Sequence, residues 1–575
     1  MLRSRLSLPL FCTLLWAAFA TLPALPAQTP VVSWAGETMR LRSGTVTPNA
    51  GGVAVALVME NDNQNASLPS SFRRWWHGEI GNLPAAGTTL VVTVSNAGYS
   101  DRILPVWARS SDGVTFGAYE RLPTSAVPTQ PTSTSHRFTV VVPAGSVAIR
   151  LAKYFPYTTA QKIAWLQGLA SHPHLRAVTV LGQSVQGRPI ELLEFTDASV
   201  PDAGKRRIWI HSGIHPAETT SYFTVEGLVA WLGSGEPLAE ALLDRTIVDI
   251  VPMANPDGVV LGNYRTNANS SNLENEWAAP YASPQPEIVA LRTAIEGFLG
   301  TATAPAANPI DVVLNLHSSH NVTYPFHFLH TANPNWHPVT SNAGVLPVVH
   351  QLELQWIAAF RQRSAFVALG SNQSSSAGAP SRPFVESMVH DRWSADPAWT
   401  GAPNLQDPLM AITFEGTYGP GPGSAWNTPA DYQQVGAELG RALADFGGVQ
   451  ATASLSAYGN GCGGLALVGQ LQAQAGGHQA TLHLAGAPAN QLAGFLFGFA
   501  VASTPLPAPW ANCLLLQSLD ASVFVVSDPL GMASGGLFLP PWPGLAVYAQ
   551  ALALDTGSNP AVVRTSNGLW IRNDY

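Results

Sequence analysis

Between residues 153 and 449 the chain alternates between two textures, and that alternation constrains the fold more than any other feature. Arg207-Ile208-Trp209-Ile210, Ile247-Val248-Asp249-Ile250-Val251, Val312-Val313-Leu314-Asn315-Leu316 and Ala411-Ile412-Thr413-Phe414 are short, apolar runs of strand character. Between and after them lie runs at helical spacing, such as Tyr222 to Leu232 and the set Tyr432, Val435, Leu439, Leu443 and Phe446. Strands that alternate with helices bury both faces of a sheet, and such sheets carry their chemistry at strand ends. The expectation is an α/β catalytic domain over 153–449, a mixed sheet flanked by helices.

The flanks read differently. Residues 28–152 hold short alternating runs between turns, for example Thr89 to Val94 and Phe138 to Val142, which predict a β-sandwich-like N-terminal domain. Residues 450–575 return to β-type runs punctuated by Gly and Pro, predicting a C-terminal all-β module. A length of 575 residues accommodates such a division at about 150 residues per domain.

Charge narrows the function classes. The formal charge is −8 and lysine occurs only at Lys153, Lys162 and Lys205. No basic run exists to follow a phosphate backbone, so a nucleic-acid partner is not expected. Residues 1–27 have the layout of a signal peptide: Arg3 and Arg5, then the apolar run Leu6 to Phe19, then small residues up to Ala27. No later stretch is apolar enough to span a bilayer, so the expected location is secreted, periplasmic or extracellular. Loss of the leader removes Cys12 and leaves Cys462 and Cys513, an even pair that suits a disulfide in an exported protein. Such a bond would stabilise the fold by roughly 4 kcal/mol; two unpaired buried thiols are the alternative.

The chemistry lies in the middle region. In Ile210-His211-Ser212-Gly213-Ile214-His215-Pro216-Ala217-Glu218 a strand ends, and His215 and Glu218 stand three apart before a helix. One imidazole and one carboxylate on a short turn suit a borderline-soft divalent metal such as zinc. The spacing alone is weak evidence, since His350 and Glu353 share it inside the apolar-periodic run Leu346 to Phe360 and read as an ordinary helix face. The first pair gains weight from its neighbours. Val312 to Leu316 ends at His317, a third ligand that would leave a position open for water, and Ala411 to Phe414 ends at Glu415, placed to act as general base. His320, His327, His330 and His390 are less decisive, and each reads equally well as a core or solvated histidine.

The run Pro252-Met253-Ala254-Asn255-Pro256-Asp257-Gly258-Val259-Val260-Leu261-Gly262-Asn263-Tyr264-Arg265 resembles the central motif of the zinc carboxypeptidase family of M14-type metallocarboxypeptidases. The nearest likeness is to its cytosolic-carboxypeptidase-like branch, in a secreted bacterial-type form. Phe72 to His77, Tyr154 to Tyr157 and Leu181 to Pro189 extend the resemblance over roughly residues 30 to 448. The resemblance implies one Zn²⁺ per chain held by His215, Glu218 and His317, with Glu415 and Arg265 catalytic: Glu415 as general base, Arg265 on the oxyanion. The substrate would be a peptide or protein cleaved at an amide bond.

One departure bears on specificity. Where the family has Asp-Leu-Asn-Arg-x-Trp, this chain has Asn272-Leu273-Glu274-Asn275-Glu276-Trp277. An acid and an amide, Glu274 and Asn275, stand where the Asn-Arg grip on a terminal carboxylate is expected. Either another cation such as Arg382 compensates, or the substrate end is not a carboxylate. Tyr418 is a further candidate for substrate contact, or an ordinary buried tyrosine. The function reading is therefore a secreted zinc metallocarboxypeptidase. The alternatives are a zinc amidase or deacylase on the same scaffold, or a binding protein that has lost activity.

Overall fold

The computed structural model describes residues 29–277, 282–300, 306–319, 322, 324–332, 345, 347–369, 373–374, 384–394, 409–447, 452–474, 477–510, 512–540 and 545–574. Residues 1–27, read from the sequence as a signal peptide, lie outside the described residues, as do His320 and Arg382.

The N-terminal region forms two five-stranded sheets. Alternation is visible along Ser135–Val142, where every second side chain is buried, as a half-buried strand requires. Leu57, Leu90, Val92, Phe138 and Ile149 fill the space between the sheets. This is the sandwich-like arrangement read from the sequence.

The central region is built on an eight-stranded sheet. Its middle consists of Thr246–Val251, Arg206–Ser212, Ile310–Ser319 and Met410–Thr417, which run parallel. Antiparallel strands flank them: Pro189–Phe195 and Leu175–Gln183 on one side, Phe326–Phe328 on the other. Both faces are covered. Ile208, Ile210, Leu314 and Ile412 pack against helices Thr220–Leu232, Pro347–Arg363 and Pro429–Phe446. The intervening Trp209, Val313 and Ala411 face helices Pro286–Leu299 and Val385–Ser394. The period-2 alternation thus separates one core from the other, which is why these strands read as continuous apolar runs. Helices Thr220–Leu232 and Pro429–Phe446 approach at Gly227, where a Cβ would lie 1.8 Å from the Gln433 carbonyl oxygen.

The C-terminal region is all β, with a five-stranded and a three-stranded sheet around Leu467, Leu482, Phe495, Ala549 and Ile571. Cys462 and Cys513 are joined, their Cα atoms 5.3 Å apart. Among the described residues no helix is long and apolar enough to cross a membrane.

The N-terminal sandwich also builds the central region's loops. Asp62, which is fully buried, accepts the backbone N–H groups of Tyr264, Arg265 and Thr266 at 2.7, 2.8 and 2.8 Å. Beside it, Arg40 donates to the Asn263 side-chain oxygen at 2.9 Å and Asn263 donates to Asn63 at 2.9 Å. A carboxylate that satisfies three buried donors is costly to remove, because each is left unpaired. Asp62→Ala is therefore expected to destabilise the Asn263–Thr266 loop by about 3 kcal/mol. The check is faster hydrogen exchange at the Tyr264–Thr266 amides, with exchange in the distant C-terminal sheets unchanged.

Candidate metal centre

Three adjacent parallel strands deliver the site. Arg206–Ser212 runs into a turn in which Gly213 has φ +73° and a Cβ would lie 2.5 Å from the Tyr222 ring. Only glycine suits that turn, which carries His215 and Glu218 over the sheet edge just before helix Thr220–Leu232. Ile310–Ser319 supplies His317, and Met410–Thr417 supplies Glu415 in register with it.

His215, Glu218 and His317 are buried together, one donor atom from each within 4.8 Å of the others. The Nδ1 atoms of the two histidines are 3.1 Å apart. Glu218 Oε1 lies 2.9 Å from His215 Nδ1, and Glu218 Oε2 lies 2.8 Å from His317 Nδ1. Behind them, His215 Nε2 donates to Asn272 Oδ1 at 2.9 Å, and His317 Nε2 lies 3.3 Å from Glu274 Oε2 as an ion-pair contact without hydrogen-bond geometry. The Asn272 orientation is fixed because the same oxygen accepts the Glu274 backbone N–H at 3.2 Å.

Those outer contacts decide the chemistry. With its proton held on Nε2 by Asn272, His215 turns an Nδ1 lone pair toward the Glu218 carboxylate, and the Glu274 charge beside Nε2 favours the same tautomer in His317. Two lone pairs and an anion converging in a buried site repel unless a cation lies among them. The protonation preferences say the same. Burial disfavours a charged His317, yet Glu218 and Glu274 together pull it well above the usual histidine value. Burial likewise opposes a charged Glu218, but His215 and His317 hold it well below the usual carboxylate range. A proton satisfies that demand in the metal-free chain. Two imidazoles and one carboxylate, each oriented from behind, fit Zn²⁺.

Beside the centre is a cavity of about 170 Å³ lined by Arg265, Glu274, Phe328, Phe384, Glu386, Thr413 and Glu415. One Glu415 carboxylate oxygen is buried and has no hydrogen-bond partner. Burial, reinforced by the charge of Glu218, pushes its pKa up to about 8. Arg265 reaches to 3.9 Å from Glu218 and stacks over Phe72, 5.6 Å from the ring centre. Glu386 is buried, with one oxygen unpartnered, and burial followed by the charge of Glu274 raises its pKa to about 7.

Other expected substrate contacts fall elsewhere. Tyr418 is buried with its hydroxyl donating to the Ala217 carbonyl at 3.1 Å, so it braces the turn between His215 and Glu218 and does not line the cavity. Asn275 is exposed and also absent from the lining. Glu274 has two roles where one was expected: it lines the cavity, and it orients His317 while accepting from Asn315 at 3.2 Å. Three contributors escaped the sequence reading. Asn272 could have been found, because it occupies the first position of the displaced Asp-Leu-Asn-Arg motif. Asp62 and Glu386 carry no local signal.

Two motifs singled out in the sequence prove to brace each other. The buried Asp257 carboxylate accepts from Ser184 Oγ, the Gln186 N–H and Arg188 at 2.7, 2.7 and 2.6 Å. Asn255 caps helix Pro256–Leu261 and donates to the Ile214 carbonyl at 3.2 Å, tying that helix to the metal-binding turn.

Comparison with known proteins agrees with this geometry. Residues 163–379 match the family described as zinc carboxypeptidase. Over 108 residues the chain is 41% identical to cytosolic carboxypeptidase 6 of Mus musculus, covering 18% of this chain and 20% of that protein. Over 175 residues it is 31% identical to cytosolic carboxypeptidase 6 of Caenorhabditis elegans, covering 30% and 37%. The matched stretches thus span only 20% and 37% of those relatives. The fold is that of a metallo-carboxypeptidase from Burkholderia cenocepacia, with a TM-score of 0.55 at 23% identity over 73% of this chain and 99% of that one. A metallo-carboxypeptidase from Pseudomonas aeruginosa, solved with (2-guanidinoethylmercapto)succinic acid, gives 0.55 at 20% identity, again over 73% and 99%.

Proposed function

We propose that this chain, which carries a zinc carboxypeptidase domain over residues 163–379, hydrolyses amide bonds of peptides as an exported metallocarboxypeptidase-type enzyme. The observation that carries the proposal is the convergence of two outward-oriented imidazoles on the Glu218 carboxylate. His215, Glu218 and His317 would hold zinc, which when bound would supply Lewis acidity and lower the pKa of a water. The chain's own residues do the rest. Glu415 accepts a proton from the attacking water on its unpartnered oxygen and delivers it to the leaving amine. Arg265, held from behind by Asp62, directs its cation toward the developing oxyanion.

The cavity chemistry supports a substrate end that is neutral or cationic. Glu274 and Glu386 both line it, and among the described residues Arg265 is the one arginine or lysine in the lining. A second carboxylate facing these acids would be repelled, and like-charge juxtaposition costs several kcal/mol. This favours peptides ending in an amide or a basic residue, and it also supports the amidase reading on the same scaffold. Matched peptides ending in Lys, an amide, Asp or Glu are the test. The first two should show kcat/KM higher by on the order of 10–100-fold, and Glu386→Gln should narrow the gap. A strong preference for acidic ends would mean that another cation grips the substrate, with Arg382 the first to replace.

Export is part of the proposal. The leader layout and the joined Cys462–Cys513 pair support an oxidising compartment.

A further inference from the structure

A second cluster of side chains of metal-ligating type lies apart from His215, Glu218 and His317. His330, Glu353 and His390 come from three separate segments: the stretch after strand Phe326–Phe328, helix Pro347–Arg363 and helix Val385–Ser394. All three are buried, Glu353 and His330 at 0% exposure and His390 at 1%. One donor atom from each lies within 4.8 Å of the others.

The contacts inside the group are those of ligands around a centre. His330 Nδ1 lies 2.6 Å from Glu353 Oε1, and the His330 backbone N–H donates to Glu353 Oε2 at 3.1 Å. The two histidine rings stand edge to face with centroids 5.3 Å apart. His330 Nε2 is buried with no hydrogen-bond partner. At the margin, His350 Nδ1 lies 3.6 Å from Glu353 Oε2. The His350–Glu353 pair read as an ordinary helix face is thus half solvent-side and half interior, with Glu353 turned fully inward.

A buried carboxylate whose ion-pair partners among the described residues are histidines needs a compensating positive charge. A bare ring nitrogen in the same enclosure also needs a partner, or its burial costs about 1–3 kcal/mol. One divalent cation meets both demands. Two imidazoles and a carboxylate form the donor set that borderline ions such as zinc prefer.

We propose that His330, Glu353 and His390 bind a second divalent metal ion of the zinc class, structural in role and distinct from the ion at His215, Glu218 and His317. It joins helix Pro347–Arg363, on one face of the sheet, to helix Val385–Ser394, on the other. The second helix carries Glu386 into the catalytic cavity, one helical turn before His390. The ion therefore fixes the cavity wall from behind without touching substrate.

Metal content of the intact zinc-loaded protein tests this. The expected value is about two zinc ions per chain, falling to about one in His215→Ala, to about one in Glu353→Gln, and to none in the double variant. A guard against misfolding is His390→Cys made in the His215→Ala background, which keeps a ligand at the second site. Loaded with cobalt(II), it should show a near-ultraviolet thiolate-to-cobalt charge-transfer band that His215→Ala alone lacks. Zinc that vanishes entirely with His215→Ala, or a folded His390→Cys protein with no such band, would overturn the second site and leave the catalytic centre standing.

Discussion

Alanine at His317 is expected to empty the catalytic centre of zinc and to lower kcat/KM by at least about 10³-fold, the equivalent of some 4 kcal/mol of transition-state stabilisation. His317 is the ligand on which the others depend geometrically. Its Nδ1 faces both His215 and Glu218, and its Nε2 lies 3.3 Å from the Glu274 carboxylate. Its removal leaves one imidazole and one carboxylate, which rarely hold zinc. It also removes the imidazole whose contact offsets the burial of Glu274 and leaves Glu218 with His215 alone of its two imidazoles. The measurement is zinc content alongside peptide hydrolysis, with circular dichroism to show that the fold persists. Full turnover with one zinc equivalent lost would place the chemistry elsewhere.

Glu415→Gln is the second change with a large expected effect, and it separates proton transfer from metal binding. Glutamine preserves size and hydrogen-bonding capacity but cannot accept and return a proton. The three donors of the centre are untouched, so zinc content should be unchanged while kcat falls by roughly 10²–10⁴. Because Glu415 has one buried oxygen free of any hydrogen bond, the variant breaks no structural contact at that atom. A fall confined to KM would instead assign Glu415 to substrate binding.

The sequence was most legible where the physics is local. Strand runs ending at Ser212, Ser319 and Thr417 were visible as apolar segments because both faces of the central sheet are covered. The position of His215, His317 and Glu415 at strand ends follows from that, and their juxtaposition follows from parallel register. Contacts between distant segments left no such trace. Asp62 acts across about 200 residues on the loop that carries Arg265, and nothing near position 62 announces it. Glu353 reads from the sequence only as part of an ordinary helix face, because helical spacing reports which face a residue shares, not which way that face turns in the fold. Of the two readings the sequence leaves open for Tyr418, the structure bears out the buried tyrosine, and its partner, the Ala217 carbonyl, is reached only once the sheet is assembled. The charge of Glu274 is legible in the sequence, but its place beside His317 follows only from the assembled sheet.

The central claim is amide-bond hydrolysis at the centre formed by His215, Glu218 and His317, with Glu415 as its base. Its most direct test is digestion of one mixed peptide library by the zinc-loaded protein and by zinc-loaded Glu415→Gln, with products read by mass spectrometry. The expected result is stepwise shortening of peptides from the C-terminal end by the unaltered protein, and intact peptides with Glu415→Gln at equal zinc content. Intact peptides in both digests, or the same shortening in both, would contradict it.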